Sequence, residues 1–433
     1  MSRLQSPRGT RDLLPAERAV FLRLESVARD LAMRYGYQPV ETPLFELAEV
    51  FERGVGEVTD VVEKELFRVQ AGRGEAERER WALRPEPTAG IVRAYIQHGM
   101  RTWPQPVKLT LTGPMFRYDR PQAGRYRQFW QFDVEAIGDA GPAIDAEIVE
   151  LAMAFFRSVG LDDVRVLLNS IGDQACRPAG LARLVAYFRD HEAELPDLER
   201  ERLASNPLRL LDSKDERMAP LIAAAPHLHE HLCAACEEHF AQIQAHLVAL
   251  DIEATLAPTL VRGLDYYTRT AFEFYRSGAE GQQQALGGGG RYDGLVELLG
   301  GQPTPGIGFG IGLDRVALAV AAAGEKQAGT PAGPIVVVGV DPADSFTRLR
   351  VATDLRRAGL SAKADLSARR LGKQLEGAAR DGAHLVVICG EEMAAGNVLV
   401  KDLEAGTQRP VPLADLSREL GRAQAQHRHG SDA

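Results

Sequence analysis

The sequence predicts an α+β chain with more than one domain, and three observations carry this prediction. Two alternating apolar segments between residues 107 and 138 flank a polar loop, as in an antiparallel hairpin. Residues from about 175 to 255 are dominated by Leu, Ala, Glu and Arg and separate two strand-rich regions. Beyond a Gly- and Pro-rich linker, apolar strands alternate with helices. A chain of 433 residues is also too long for one ordinary core.

The first 45 residues predict a helix followed by an extended segment. Between Pro15 and Gly36, apolar residues recur at helical spacing: Phe21, Leu24, Val27, Ala28 and Leu31. The extended segment runs from Tyr37 to Phe45 and contains Pro39 and Pro43. Because proline cannot donate to a sheet ladder, we expect this strand at a sheet edge or an interface.

The central region predicts a hairpin, a helix, a strand and a helical insertion. We expect strands at 108–113 and 127–137 around a polar loop at 120–126, then a helix at 144–159 and a strand at 164–170. Within the insertion the predicted helices are 181–190, 196–204 and 228–250. Strands resume at Leu256, and 305–320 reads as a Gly-spaced strand that runs into an Ala-rich helix.

The C-terminal part predicts a small α/β domain of about ninety residues, a usual domain size. Its predicted strands are 335–340, a short one at Ser361, 384–389 and 397–403, and its helices are 346–358 and 369–380. The predicted organisation is therefore one domain in two parts (1–174 and 256–323), an insertion (175–255), a linker (324–334), a C-terminal domain (335–422) and a flexible tail (423–433).

Composition excludes several classes of protein. With 45% hydrophobic and 26% charged residues the chain reads as globular, and it has no apolar run near 18 residues, so we expect no membrane span. The N-terminus lacks the apolar core of a secretory signal, and four scattered cysteines do not suggest disulfides, so we expect a cytoplasmic protein. The net charge of −9 gives no overall attraction for nucleic acid, which would have to bind through local basic patches.

Two segments suggest a nucleotide site. Gly113–Asp119 ends a strand with Phe-Arg-x-Asp, and a fixed guanidinium such as that of Arg117 can hold a phosphate through two hydrogen bonds. Pro305–Arg315 has glycine at every second position, which strips one face of a strand so that a flat base can approach its backbone. A structural strand-end arginine and a strand packed tightly on a helix are the alternative interpretations. The chain has no Gly-x-x-x-x-Gly-Lys-[Ser/Thr] phosphate loop.

Three further segments suggest an amino-acid pocket. Leu260–Phe274 carries Arg262, Asp265, Tyr266 and Tyr267 at the start of an apolar strand, and Gly287–Gly294 adds five glycines, an arginine and Tyr292. Between Leu83 and Gly90, Glu86 and Thr88 suit an α-ammonium group, although a Pro-rich helix entry with a capping threonine is equally simple.

A cluster of histidines and cysteines lies between residues 227 and 239. Cys233 and Cys236 form a lone Cys-x-x-Cys, which is a weak zinc signal without a second pair. Because the segment reads as a helix, two buried thiols on one face are the favoured interpretation, and metal binding stays open. Cys176 and Cys389 are expected to be ordinary core or surface residues.

Together these segments resemble the histidyl-tRNA synthetases nearly end to end. Gly113–Phe129 resembles motif 2 of class II synthetases, Pro305–Arg315 motif 3, and the helix and strand at 15–43 motif 1. The resemblance implies a class II synthetase-like antiparallel sheet flanked by helices, a helical insertion and a C-terminal α/β domain of anticodon-binding type. It implies activation of L-histidine by ATP with Mg²⁺, transfer to tRNA(His), a homodimer built on motif 1, and no membrane partner.

The resemblance also implies roles for individual residues. Arg117 and Arg262 would act on the α-phosphate from two sides as catalytic residues, and Arg315 would hold the γ-phosphate and cover adenine. The ATP site as a whole would comprise Arg117, Arg125, Phe129, Gly310 and Arg315. The histidine site would comprise Glu86, Thr88, Gln131, Glu135, Tyr266, Tyr267 and Tyr292. Glu86, Thr88 and Gln131 would take the α-amino group, while Glu135 and Tyr267 would address the imidazole. Arg120 and Gln122 would meet the tRNA acceptor end, and no metal ligand is assigned.

Two alternatives remain at the level of sequence. One is the synthetase-like regulatory subunit of ATP phosphoribosyltransferase, which binds histidine without charging tRNA. That paralogue typically lacks the anticodon domain and the catalytic residues. This chain has both the segment Pro334–Leu420 and the three arginines Arg117, Arg262 and Arg315. The other is a class II synthetase for another amino acid.

Overall fold

The computed structural model describes residues 4–55, 61–69, 80–261, 266–277, 285–323 and 333–422. The chain forms two compact units, Met1–Gly324 and Glu325–Ala433, and each is described by itself. No helix in these described ranges is both long enough and apolar enough to cross a membrane.

The first unit contains eleven strands within its described residues. They are β1 (Gln38–Pro39), β2 (Phe45–Leu47), β3 (Arg68–Val69), β4 (Trp81–Leu83), β5 (Val107–Phe116), β6 (Gln128–Ile137), β7 (Val164–Ser170), β8 (Ala254–Leu256), β9 (Thr268–Arg276), β10 (Gly287–Arg291) and β11 (Gly306–Gly312). Its α-helices, over the same ranges, are α1 (Pro15–Arg34), α2 (Ala48–Val55), α3 (Thr88–Gln97), α4 (Pro142–Ser158), α5 (Arg177–Asp190), α6 (Asp197–Ser205), α7 (Ala219–Ala224), α8 (Ala234–Ala249), α9 (Leu295–Leu298) and α10 (Leu313–Ala322).

Eight strands form one mainly antiparallel sheet in the order β1-β5-β6-β11-β10-β9-β7-β8. Only the outermost pairs, β1 with β5 and β7 with β8, are parallel. The Pro-containing strand β1 lies at an edge, as predicted, because its proline cannot complete a central ladder. The remaining strands β2, β4 and β3 form a separate small sheet.

The large sheet has a core on each face. On one face, α1, α4, α8 and α10 cover apolar side chains that include Phe132 and Val134 of β6. On the other face, α2, α3 and α9 pack over β5, and the three tyrosines of the predicted histidine site join this second core. Since successive strand residues face opposite ways, Gln131, Asp133 and Glu135 of β6 point to this second face.

The segment between β7 and β8 is helical and has a core of its own, built around Leu184, Phe188 and Leu210. Two predictions for this segment need correction. Residues 228–250 do not form one helix: a short helical turn at Leu228–His231 is followed by extended Leu232 and Cys233, and α8 begins only at Ala234. The strand that was predicted to resume at Leu256 begins two residues earlier. It is β8, which starts at Ala254, where it pairs with Val166 of β7.

The second unit is an α/β domain with a five-stranded sheet in the order β13-β12-β14-β15-β16. Its elements are β12 (Ile335–Gly339), α11 (Ser345–Arg357), β13 (Ala362–Ala364), α12 (Leu371–Arg380), β14 (Leu385–Cys389), β15 (Asn397–Asp402) and β16 (Gln408–Pro412). The sequence missed β16, whose Pro410 and Pro412 weaken any strand signal. Both prolines are tolerated because β16 lies at the sheet edge.

The sequence predicts that Cys176 and Cys389 are ordinary core or surface residues, and the structure agrees for Cys389 but not for Cys176. Cys389 is a buried residue of the second unit, in agreement with the prediction. Cys176, however, is not an isolated core residue, because its thiol lies beside Asp173, Cys233 and Cys236. The break before α8 explains the grouping, since it turns Cys233 and Cys236 toward the loop that follows β7.

Candidate active site

A cavity of about 230 Å³ opens between the β5–β6 hairpin and the paired strands β10 and β11. Its wall includes Arg117, Arg125, Phe129, Gly310 and Arg315, five residues that the sequence assigned to one nucleotide site. They come from distant parts of the chain, and the antiparallel pairing of β6 with β11 brings them to the same place.

Arg117 follows β5 and is fixed by two contacts. Its Nε donates to the carbonyl of Pro85 at 2.8 Å, and its guanidinium carbon lies 5.3 Å from the centre of the Phe129 ring. These contacts set the plane of the guanidinium at the cavity wall. A pre-oriented guanidinium can bind a phosphate through two parallel hydrogen bonds.

Arg315, in the first turn of α10, reaches the opposite wall. Its guanidinium donates to the carbonyls of Ala285 at 2.5 Å and Gly124 at 3.4 Å. Burial lowers the pKa of Arg315, and the nearby charges of Arg125 and Arg117 lower it further. Arg125 is paired with Asp119 at 2.9 Å, whereas Arg117 and Arg315 donate to backbone carbonyls, which carry no formal charge, so the positive charges of these two favour a polyanion in the cavity.

Asp314 positions Arg315, a role that the sequence analysis missed. Its buried carboxylate accepts the backbone N–H of Trp130 at 2.8 Å and a guanidinium hydrogen bond from Arg11 at 2.9 Å. Arg11 also lies over the ring of Tyr126, which lines the cavity. These bonds tie the N-terminal segment and β6 to the start of α10, and so they fix the backbone position of Arg315.

The residues predicted to bind histidine surround the buried carboxylate of Glu135. The hydroxyl of Thr88 donates to its Oε1 at 2.5 Å, and the hydroxyl of Tyr292 donates to its Oε2 at 2.5 Å. Burial raises the pKa of Glu135 to about 8, against the opposing effect of these two donors, and the charge of Glu86 raises it as well.

Glu86 caps the N-terminus of α3. Its two carboxylate oxygens accept the backbone N–H groups of Thr88 at 2.8 Å and Ala89 at 3.0 Å. Burial raises the pKa of Glu86, although these N–H groups and Arg117 oppose the shift. The alternative of a capping threonine is therefore wrong, because Glu86 caps the helix and the hydroxyl of Thr88 bonds to Glu135.

Asp133 is a third buried carboxylate at this site, and the sequence analysis did not name it. Burial raises its pKa well above the usual range, and the charges of Glu135 and Glu86 add to the rise. Asp133 Oδ2 and Gln131 Oε1 are buried without a hydrogen-bond partner. Unpaired buried acceptors cost about 1–3 kcal/mol each, so they favour a ligand that brings donors.

The three tyrosines form an aromatic wall. The rings of Tyr266 and Tyr267 lie 4.6 Å apart, and those of Tyr266 and Tyr292 lie 5.9 Å apart. Tyr292, predicted only to lie nearby, is the tyrosine that bonds to Glu135. Tyr267, predicted to address the imidazole, packs its ring against Gly290, where an added Cβ would lie 2.8 Å from a ring carbon.

The alternating glycines of β11 have a different use from the one predicted. An added Cβ at Gly306 would lie 2.2 Å from the Tyr292 ring, and at Gly308 it would lie 1.9 Å from Glu135 Oε2. Side chains, not a base, therefore fill the space over these two glycines. Gly310 and Gly312 do line the cavity, and Gly310 is crowded by Asp133 and Gln131 at 2.6 and 2.9 Å.

Gln131 joins the two halves of the site, because it lines the cavity and lies beside Asp133 under Gly310. Arg291 of the glycine-rich segment does not face this site. Its fully buried guanidinium pairs with Asp145 and donates to the carbonyl of Asp139 at 2.8 Å. Arg291 is therefore a structural residue of the sheet.

The remaining predicted residues lie elsewhere. Arg120 and Gln122 are exposed at the tip of the β5–β6 hairpin, where Gln122 and Arg125 exchange backbone hydrogen bonds of 3.1 and 2.9 Å. Arg262 and Asp265 lie outside the described residues. Period-two alternation along β6 could have found Asp133, since it falls between Gln131 and Glu135. No local pattern could have paired Asp314 with Arg11, which is 303 residues away.

Comparison with known proteins gives a consistent result. A family model described as histidyl-tRNA synthetase matches residues 9–316, and one described as anticodon binding domain matches residues 335–422. The chain is 47% identical to the histidine–tRNA ligase of Desulforudis audaxviator, over 97% of this chain and 99% of the relative. It is 46% identical to that of Moorella thermoacetica, over 94% and 96%. Among solved structures, apo histidyl-tRNA synthetase of S. aureus matches with a TM-score of 0.80 and 33% identity, over 96% and 99% of the two chains.

Proposed function

The chain belongs to the histidyl-tRNA synthetase family, and from that premise we propose how its residues divide the work of the reaction. The enzyme activates L-histidine with ATP to histidyl-adenylate and pyrophosphate, and then transfers the histidyl group to tRNA with release of AMP. In the first step the histidine carboxylate attacks the α-phosphorus. Because both reactants are anionic, positioning and positive charge must supply most of the acceleration.

ATP occupies the cavity walled by the three guanidinium groups. Arg117 holds the α-phosphate, since its Nε is engaged by Pro85 and its terminal nitrogens remain to address two phosphate oxygens. Arg315 and Arg125 neutralise the outer phosphates. Adenine lies between Phe129 and Arg315, at the part of the cavity wall that Gly310 and Gly312 line.

From the sequence resemblance we also propose that Arg262 acts on the α-phosphate from the other side and stabilises the charge that builds as the new bond forms. Arg262→Ala is expected to abolish histidine-dependent exchange of pyrophosphate into ATP while the circular dichroism and Tm stay those of the parent enzyme. Unchanged exchange would refute the role.

Mg²⁺ accompanies the triphosphate and neutralises its charge. The residues present fit such an ion, because the cavity of three arginines also holds a carboxylate, Glu273 of β9. The hydroxyl of Tyr275 donates to Glu273 Oε2 and orients that carboxylate. We assign Glu273 to the metal, which prefers oxygen ligands.

L-histidine occupies the space between Gln131 and the three tyrosines. Its α-ammonium group takes the acceptors of Gln131, Glu86 and Asp133, of which Gln131 Oε1 and Asp133 Oδ2 are buried without a hydrogen-bond partner. Its imidazole meets Glu135 and Tyr292, while Tyr266 and Tyr267 enclose the ring. Other amino acids leave these buried polar groups unpaired, which gives strong discrimination.

The tRNA is held at two places. The exposed side chains of Arg120 and Gln122 at the hairpin tip meet the acceptor end. The domain at 335–422 belongs to the anticodon-binding type and takes the other end of the tRNA. The enzyme works in the cytoplasm, where tRNA is charged.

A second copy of the chain completes the enzyme as a homodimer. Residues 14–47 carry exposed large apolar side chains on α1 and after it, namely Leu14, Leu22, Met33, Leu44, Phe45 and Leu47. Such a grouping of apolar surface favours burial in an interface. Leu44→Asp is expected to shift the sedimentation coefficient to that of a monomer, and a monomeric parent protein would contradict the assignment.

The observation that carries the ATP and histidine assignments is the convergence of Arg117, Arg125 and Arg315 on one cavity that shares Gln131 with the histidine residues. Pyrophosphate exchange with each of the twenty amino acids, followed by charging of tRNA, tests the whole proposal. Only histidine should support exchange. Exchange with another amino acid, or none without a second protein, would overturn it.

A further inference from the structure

Four side chains that the synthetase reaction does not use lie together behind the histidine site. They are Asp173 in the loop after β7, Cys176 just before α5, and Cys233 and Cys236 at the start of α8. One ligand atom from each lies within 4.8 Å of every other. Asp173 Oδ1 lies 3.5 Å from the thiol of Cys176 and 4.0 Å from that of Cys233. All three cysteines are free thiols.

The 3.5 Å between Asp173 Oδ1 and the Cys176 thiol is the separation expected in a tetrahedral zinc site, and every other separation among the four ligand atoms is at most 4.8 Å. Zinc–sulfur bonds of about 2.3 Å and zinc–oxygen bonds of about 2.0 Å place neighbouring sulfurs roughly 3.8 Å apart and sulfur and oxygen roughly 3.5 Å apart. Asp173 Oδ1 is held beside the sulfurs because it also accepts the backbone N–H groups of Ala175 at 3.0 Å and Cys176 at 3.3 Å. We propose that Asp173, Cys176, Cys233 and Cys236 bind one Zn²⁺ as a structural ion.

The backbone around the cluster is shaped to bring the ligands together. Gly172 has a φ of +72°, and a Cβ there would lie 2.8 Å from the thiol of Cys176, so only glycine allows this approach. Cys233 is extended just before α8, and the N–H of Cys236 bonds to its carbonyl at 2.9 Å. The Cys-x-x-Cys thus forms a helix-start turn that aims both thiols at one point.

Arg269 on β9 supplies the counter-charge. Its guanidinium pairs with Asp173 Oδ2 at 3.1 Å, which leaves Oδ1 on the side of the thiols. Three thiolates and one carboxylate around Zn²⁺ carry a net charge of −2, so a neighbouring cation is needed. Arg269 has a φ of +52°, a costly conformation for a side chain that is not glycine, and its place in the cluster gives a reason for it.

The ion would fasten the helical insertion to the catalytic sheet at both ends. Cys176 precedes the helices that pack around Leu184, Phe188 and Leu210, and the Cys-x-x-Cys follows them, while Asp173 and Arg269 belong to the sheet side. Arg177, next to Cys176, donates to the carbonyl of Tyr267 at 2.7 Å, and the N–H of Arg269 bonds to Gly172 at 2.7 Å. The site therefore positions the peptide that carries Tyr266 and Tyr267 and acts on histidine binding through it.

The first test is the metal content of the full-length enzyme. Untagged enzyme produced with zinc in the medium should contain about one zinc per chain by mass spectrometry of the metal. Cys176→Ser, Cys233→Ser and Cys236→Ser should each lose it, and Cys389→Ser, in the other unit, should keep it. Zinc that is absent from the parent enzyme, or that survives all three substitutions, overturns the proposal.

The parent enzyme itself provides a second test if the variants do not fold. Co²⁺ added after chelation should give the visible bands and the sulfur-to-metal charge transfer of a tetrahedral thiolate site. Asp173→Asn, which keeps the three thiols, should weaken Co²⁺ binding and shift the bands. Cobalt spectra typical of octahedral coordination would contradict a zinc site. So would the titration of only two free thiols after chelation and denaturation, because two of the four cysteines would then form a disulfide.

A third measurement separates this proposal from the assignments of the active site. Removal of zinc should raise the KM for histidine several-fold with little change in the KM for ATP, and readded zinc should restore it. Hydrogen exchange should accelerate at residues 171–177, 232–237 and 266–269 when the ion is removed. Unchanged exchange at all three segments would show that no ion joins them, whereas failure of the synthetase assay in both forms would count against the active-site assignments instead.

Discussion

The phenolic hydroxyl of Tyr292 donates a 2.5 Å hydrogen bond to Oε2 of Glu135, although 157 residues separate them in the chain. Glu135→Gln removes the carboxyl group that this tyrosine and Thr88 orient and that we expect to ionise when histidine binds. We expect the KM for histidine to rise at least about 100-fold, because loss of a buried charged partner costs roughly 3 kcal/mol. The KM for ATP should change little, as measured by pyrophosphate exchange at varied concentrations of each substrate.

Tyr292→Phe is the matched variant, since it keeps the ring and deletes only the donor. Its effect on the KM for histidine should be smaller, about tenfold, because Thr88 still bonds to Glu135. If Glu135→Gln binds histidine as tightly as the parent enzyme, Glu135 does not contact the substrate.

Histidine binding should release protons near pH 7. Burial raises the pKa of Glu135 to about 8, so the empty site holds this carboxyl mostly protonated at neutral pH. An arriving α-ammonium group favours the ionised carboxylates and lowers their pKa values. Affinity should therefore rise as pH increases toward 8, by up to about tenfold per unit once the ionisation of free histidine is taken into account.

Calorimetry at pH 7 in two buffers of different ionisation enthalpy measures this release directly. The observed binding enthalpy should differ between the buffers in the direction of proton uptake by the buffer. Glu135→Gln should reduce the difference, leaving the contributions of Asp133 and Glu86, whose pKa values burial also raises. Equal enthalpies in both buffers for the parent enzyme would mean that the carboxyls are already ionised.

Substitution by alanine should lower the Tm at one glycine of β11 and leave it unchanged at another. At Gly308 a Cβ would lie 1.9 Å from Glu135 Oε2 and 2.5 Å from the carbonyl of Val134, so Glu135 or the strand must move. At Gly312 the nearest group is the carbonyl of Leu286 at 3.7 Å, an ordinary contact. We expect Gly308→Ala to lower Tm by several degrees and to abolish histidine binding, while Gly312→Ala keeps the parent Tm. Equal Tm values would contradict the packing around Glu135.

Sequence reasoning located most elements of the fold because their periodicity is local. The range of β7 was predicted without error, and α1 differs only at its last turn, where Gly36 was taken as the closing residue. The long insertion was less predictable. The break at Cys233 depends on contacts with Asp173, which is remote in sequence, so an unbroken helix was the simpler interpretation.

The residues of the candidate site were likewise predictable where the signal is local in sequence and not where it depends on remote contacts. Arg117 and Arg315 could be named from motifs, and the structure brings them to one cavity. The glycines of β11 do not reveal which group covers them. The side chain of Glu135 covers Gly308 from the neighbouring strand β6. Likewise Cys176 carries no local sign of Cys233, since only the fold brings the two segments together.

Two arginines three residues apart on the β5–β6 hairpin should separate the two steps of the reaction. Arg117 lines the cavity, whereas Arg120 is exposed at the tip. Arg117→Lys cannot reproduce two parallel hydrogen bonds to a phosphate, so we expect pyrophosphate exchange to fall about 10²–10³-fold. Arg120→Ala should leave exchange within about twofold and slow transfer to tRNA by about tenfold, the loss of one phosphate contact.

The two steps are measured on the same preparations, exchange without tRNA and single-turnover transfer from preformed histidyl-adenylate. The transfer defect of Arg120→Ala should shrink as salt increases, because counterions replace a contact to the tRNA backbone. Arg101, which is exposed and outside the cavity wall, provides a control for loss of one surface charge as Arg101→Ala. If Arg120→Ala impaired exchange as much as Arg117→Lys, the hairpin tip would act in adenylate formation, and the proposed division between its base and its tip would be wrong.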